Sequence, residues 1–179
     1  MKQLCYAAQF DAVRLRTERE TREVLMAYRV FMSYSTKDMQ RVEEVRTALQ
    51  DMLVEVFVAE HSVEPGQHLL KQIAKAIKAC QVFLLVWSEN SQESQWVSNE
   101  VTLAISEGKF IIPIVLDPEA TLPSVLADRK YLPAYRDPQQ ALKWLRTTIL
   151  KRARERRDLD LAVTFGVVAL AALILSGEK

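Results

Sequence analysis

The residues of this chain best placed to do chemistry are Trp96 and Glu100, one helical turn apart in Ser94-Gln95-Trp96-Val97-Ser98-Asn99-Glu100. A fixed carboxylate stabilises a reacting group on which positive charge develops, and an aromatic neighbour supplies an apolar wall beside it. The preceding run Val82-Phe83-Leu84-Leu85-Val86-Trp87 is continuously apolar, as a strand covered on both faces is, and Ser88-Glu89-Asn90-Ser91 reads as its exit loop. The following helix is expected to bury Val97, Val101, Ala104 and Ile105. At about 100° per residue, Trp96, Glu100, Leu103 and Glu107 fall on a flank about a quarter turn from that face. Glu100 is therefore expected to face a crevice rather than the core.

The elements that must position this glutamate alternate strictly. A charged segment over 11–27 carries a weak apolar stripe and reads as a helix packed on the domain. Arg29-Val30-Phe31-Met32-Ser33-Tyr34 is a short buried strand, and Ser35 and Asp38 after it have the spacing of a capping box. Val42, Val45, Ala48, Leu49 and Met52 continue with helical period, 54–58 is a second strand, 60–67 a polar loop with Pro65-Gly66, and 69–79 a helix. A fourth strand over 110–116 contains Pro113, which suits a place near a sheet edge. Tyr131-Leu132 marks a fifth strand, and Pro138 fits the first turn of a helix over 139–157. Right-handed crossovers then give a parallel sheet with helices on both faces, whose ligand sites lie beyond the carboxyl ends of the strands. Those ends are Ser33-Tyr34-Ser35, Ala59-Glu60, Trp87-Ser88 and Leu116-Asp117.

At 179 residues the chain holds one domain of roughly 100 to 150 residues with extensions. A net charge of +1 gives no global reason to expect a nucleic-acid partner. Four glycines, none in a GxGxxG or GxxxxGK arrangement, argue against a standard Rossmann or P-loop site. Cys5 and Cys80 are too few for a disulfide framework, which points to a reducing compartment; Cys80, after the apolar face Ile73, Ala76 and Ile77, reads as a small core residue. His61 and His68 flank Glu60 and Glu64 in no zinc spacing, so no metal is expected. Residues 1–10 lack the apolar core of a signal peptide.

Taken in order, four motifs resemble a Toll/interleukin-1 receptor (TIR) domain over 29–150. Val30-Phe31-Met32-Ser33-Tyr34-Ser35 is similar to the family's first box, and Glu64-Pro65-Gly66 to the BB loop after the second strand. The 94–100 segment resembles the tryptophan-to-glutamate block of microbial members, and Phe110-Ile111-Ile112-Pro113-Ile114 the fourth strand. The resemblance implies a flavodoxin-like five-stranded parallel sheet with helices on both faces, assembly of TIR domains with one another through a BB loop shaped by Pro65 and Gly66, and cleavage of NAD at the nicotinamide glycosidic bond. NAD is then a substrate, with no separate cofactor. It also implies that Glu100 is catalytic, with Trp96, Ser33, Tyr34 and Ser35 binding substrate. One departure weighs against this: many enzymatic members carry an aspartate where this chain has Ala59, beside Glu60. The alternative is a non-catalytic adaptor that acts by assembling with other TIR domains.

Outside the domain, 1–28 reads as a helical extension and 151–160 as a basic linker. The run 161–175 is apolar apart from Thr164 and follows Lys151, Arg152, Arg154, Arg156 and Arg157. It reads as a helix over 161–176 that anchors the domain to the cytoplasmic side of a membrane, with lipid as a partner, although about 22 Å of helix is short against a hydrocarbon core near 30 Å. A cytoplasmic protein without an anchor is the alternative location.

Overall fold

The structure, a computed structural model, describes residues 27–51, 53–58 and 69–176, with side chains in the last helix as far as residue 164. The readings made for the N-terminal helix, Cys5, Ala59, Glu60, His61, Glu64, Pro65, Gly66 and His68 lie outside the described residues.

The strands are β1 (Tyr28–Ser33), β2 (Val54–Val58), β3 (Val82–Trp87), β4 (Phe110–Val115) and β5 (Leu132–Pro133). They form one sheet in the order β2-β1-β3-β4-β5, every pairing parallel, which is the flavodoxin-like arrangement. The helices are α1 (Met39–Ala48), α2 (Leu69–Ala79), a short α3 (Glu89–Gln92), α4 (Gln95–Ser106) and α5 (Pro138–Ser176).

Side-chain alternation along each strand divides the core in two. Val30, Met32, Leu84, Val86, Ile112 and Ile114 pack under α1 and α5, while Phe31, Phe83, Leu85, Ile111 and Val115 pack under α2 and α4. Central β3 is buried at every residue because both its faces are covered, as its uniform apolarity requires. Phe31 stacks between Phe57 and Phe83, each at 5.4 Å between ring centroids, and so fixes β1 against both neighbours directly below Ser33 on the same face. Pro113 is tolerated because β5 pairs only with Ile114 and Val115, leaving β4 without an outer partner at the proline. Cys80 is buried, and burial pushes its thiol upward, which fits a core residue.

Two expectations need correction. Ile105 is not buried with Val97, Val101 and Ala104 but is 37% exposed: it lies at the margin of that stripe, next to fully buried Ala104, shortly before Gly108, at φ +63°, follows the end of the helix. The C-terminal anchor is not supported either: among the described residues no helix is long and apolar enough to cross a membrane. The stretches 151–160 and 161–176 are both parts of α5. Arg152 seats that helix, its guanidinium 4.0 Å over the Phe110 ring, and past buried Ala153 the helix leaves the domain with Leu159 and Val163 exposed.

Candidate active site

Glu100 lies on α4 one turn past Trp96, and α4 starts where it does because Ser94 caps it, its hydroxyl accepting from the Val97 amide at 3.3 Å. Removing that cap by Ser94→Ala is expected to cost about 1 kcal/mol of stability, measurable by urea unfolding. Val97, Val101 and Ala104 hold one face of the helix on the sheet, which turns Glu100 toward the exit of β1. There the carboxylate is only 6% exposed: Oε2 accepts from the Ser33 hydroxyl at 2.5 Å and Oε1 from the Trp96 indole N–H at 2.9 Å.

Burial is the largest influence on this group and raises its pKa, the two hydrogen bonds lower it, and the balance leaves it pushed up to about 7. Among the described residues no cation pairs with it. An ionised carboxylate held in this way, dehydrated and without a counter-ion, attracts positive charge far more strongly than an exposed one. It sits beside the β1/β3 junction, the topological switch point of this strand order, where Ser33 pairs with Leu85.

The expected hydroxyls divide. Ser33 reaches Glu100, whereas Tyr34 turns to the other face of the sheet, its ring in the core under α1 and α5 and its hydroxyl donating to Met39 Sδ at 3.8 Å. Ser35 is buried at the start of the 3-10 turn Thr36–Asp38 and makes no side-chain cap bond. Trp96 presents a 40% exposed ring beside the carboxylate. Asp38 does not complete a capping box: its buried carboxylate reaches across the sheet end to Ser88 and Asn90. The spacing of Ser35 and Asp38 concealed that contact, which the neighbouring exits of β1 and β3 could have suggested. Among the described residues no cluster of His, Cys, Asp and Glu could hold a metal ion.

The TIR domain family model matches residues 30–146. The chain belongs to the TIR domain family. This TIR domain is 31% identical over 114 residues to the probable 2' cyclic ADP-D-ribose synthase BdTIR of Brachypodium distachyon, a match covering 59% of this chain and 50% of the relative. The chain thus spans about half the length of that curated relative. Among solved structures, the TIR domain of the Toll-related receptor TRR-2 of Hydra magnipapillata superposes with a TM-score of 0.59 at 21% identity, over 70% of this chain and 97% of that one. The CMP N-glycosidase BcmB of Clostridium botulinum has the same fold, with a TM-score of 0.50 at 23% identity over 65% of this chain and 96% of its own.

Proposed function

We propose that this TIR domain cleaves NAD at the bond between nicotinamide and ribose, releasing nicotinamide and a linear or cyclic ADP-ribose, as a self-associating defence or signalling effector. The observation that carries the reading is Glu100: a buried carboxylate with no cation among the described residues, held by Ser33 and Trp96 at the switch point of the sheet. Nicotinamide leaves as a neutral molecule, so the reaction asks little of a general acid, while positive charge gathers on the ribose as in other glycosidic cleavages. Ionised Glu100 stabilises that charge, directly or by transient attack on the ribose carbon. Trp96 walls the site, and Ser33 fixes the carboxylate. The name of the plant relative, a synthase of cyclic ADP-ribose, supports this class of product.

One observation favours the non-catalytic adaptor: both carboxylate oxygens already have partners, so Glu100 also satisfies the needs of a purely structural residue. Incubating the purified protein with NAD, free and clustered on a multivalent support, separates the readings. Nicotinamide release supports the enzyme; intact NAD under both conditions favours the adaptor.

Assembly through the BB loop belongs to the same proposal. Proline restricts φ and glycine permits turns closed to other residues, so Gly66→Val is expected to reduce both assembly size and NAD turnover, with turnover recovering when the protein is clustered artificially. Light scattering and nicotinamide release on the same samples check this, and lost turnover with unchanged assemblies would contradict it.

A further inference from the structure

Among the described residues, four polar residues besides Glu100 and Ser33 are buried: Ser35, Asp38, Ser88 and Ser91. Asp38, Ser88 and Ser91 form one connected chain of hydrogen bonds. The Asp38 carboxylate accepts from the Ser88 hydroxyl, and from Asn90 Nδ2 at 2.9 Å. The Ser88 oxygen in turn accepts from the Ser91 amide at 3.0 Å, and the Ser91 hydroxyl donates to the Val86 carbonyl at 2.9 Å. From the other side, Asp117 accepts from the Glu89 amide at 3.1 Å while pairing with Arg41 at 2.8 Å. The short helix α3 is thus clamped between the exits of β1 and β4.

The position of this clamp gives it a consequence for the site. Asp38 follows Ser33 on the exit of β1, and Ser88 opens the segment that runs through α3 and the Ser94 cap to Trp96 and Glu100. Among the described residues the direct hydrogen bonds to this buried carboxylate come from neutral donors, while the Arg41 guanidinium, bonded to Asp117, acts on it only through space. Burying a charge in this way is a poor route to stability, because apolar packing in the same space avoids the dehydration cost. Its hydrogen bonds do, however, define one geometry between two chain segments distant in sequence.

We propose that Asp38 is a positioning residue for Glu100: by tying the exit of β1 to the exit of β3 it sets the approach of α4 to Ser33, and with it the place of the carboxylate at the switch point. Only the kinetic consequence rests on the NAD-cleaving reading. The groups acting on Glu100 besides its burial are Ser33 from β1 and Trp96 from α4 itself, and among the described residues no second charge faces it in an ion pair. Loosening the clamp admits water to this carboxylate and lowers its pKa toward the ordinary range.

Asp38→Leu keeps the approximate size and removes both acceptors from the Ser88 hydroxyl and the Asn90 amide. It is expected to lower kcat by about 10- to 100-fold, the scale of a small misplacement of a reacting group, with KM little changed. In an NMR titration of the Glu100 carboxyl, the midpoint near 7 is expected to fall. Asp38→Asn, whose amide oxygen accepts from Asn90 while its nitrogen donates to Ser88 once that hydroxyl rotates, keeps the connection and is expected to stay near wild type in both readouts. Asn90→Ala, which removes one bond from a half-buried partner, gives the same comparison where Asp38→Leu does not fold. A folded but less stable variant with wild-type kcat and an unchanged Glu100 midpoint would make Asp38 a stabiliser of the fold alone and overturn the proposal. Where the wild type releases no nicotinamide, the titration decides by itself: a lowered midpoint upholds positioning, and an unchanged one rejects it.

Discussion

Glu100→Gln is expected to abolish NAD cleavage, by about 100- to 1000-fold, while making the folded protein more stable above neutral pH. Glutamine fits the same space: its oxygen accepts from the Trp96 indole, and its amide donates to Ser33, whose hydroxyl can rotate to accept. Only the charge is lost. In the folded chain Glu100 keeps its proton to about pH 7, whereas its ordinary value is 4.5. Below pH 4.5 the carboxyl is protonated in both states and contributes its full stability. As pH rises from 4.5 through 7 the unfolded chain releases the proton first, so stability is lost, reaching roughly 3 kcal/mol at 1.36 kcal/mol per pKa unit. Glutamine escapes that loss. Urea unfolding is expected to show the variant more stable than wild type at pH 8, by up to roughly 3 kcal/mol, and the two nearly equal at pH 4.5. Equal stability at both pH values would mean that the folded state bears no cost for an ionised Glu100.

The second large effect is on the rate itself. Stabilising positive charge requires the ionised carboxylate, so kcat/KM, which reports the free enzyme, is expected to fall about tenfold per pH unit below a midpoint near 7. At pH 5 that amounts to roughly a 100-fold loss from the plateau. The catalytic and stability profiles are therefore expected to run in opposite directions across the same interval: on the proposed mechanism, the form that reacts is the form the fold tolerates least. Ser33→Ala gives an internal check. It removes a hydrogen bond that lowers the pKa while largely keeping the burial that raises it, so the midpoint of the rate profile is expected to move above 7. A profile flat from pH 5 to 8 would assign the chemistry to another group.

Periodicity carried most of this architecture. The unbroken apolarity of 82–87 marked β3 as a strand covered on both faces, and helical spacing put Trp96 and Glu100 on one flank of α4. The depth of the site was not legible, because it depends on Ser33, 67 residues earlier in the chain, closing over the carboxylate. With Glu100 read as lining an open crevice, its substitution would be nearly neutral for stability; its burial reverses that expectation. Asp38 was misplaced for a related reason. A local spacing that suits a helix cap competes with partners 50 and 52 residues away, and only the parallel order of β1 and β3 brings those within reach. For α5, the charged residues of 151–160 suggested a linker, yet Lys, Arg and Glu are good helix formers and no proline or glycine interrupts them.

The most direct test of Glu100 as the charge that drives NAD cleavage is nicotinamide release at pH 8 by clustered wild-type protein and clustered Glu100→Gln, measured side by side with both shown to be folded. Steady release by the wild type, and release lowered by about 100-fold or more in the variant, is the expected result. Equal release by the two proteins would remove Glu100 from the mechanism and contradict this assignment.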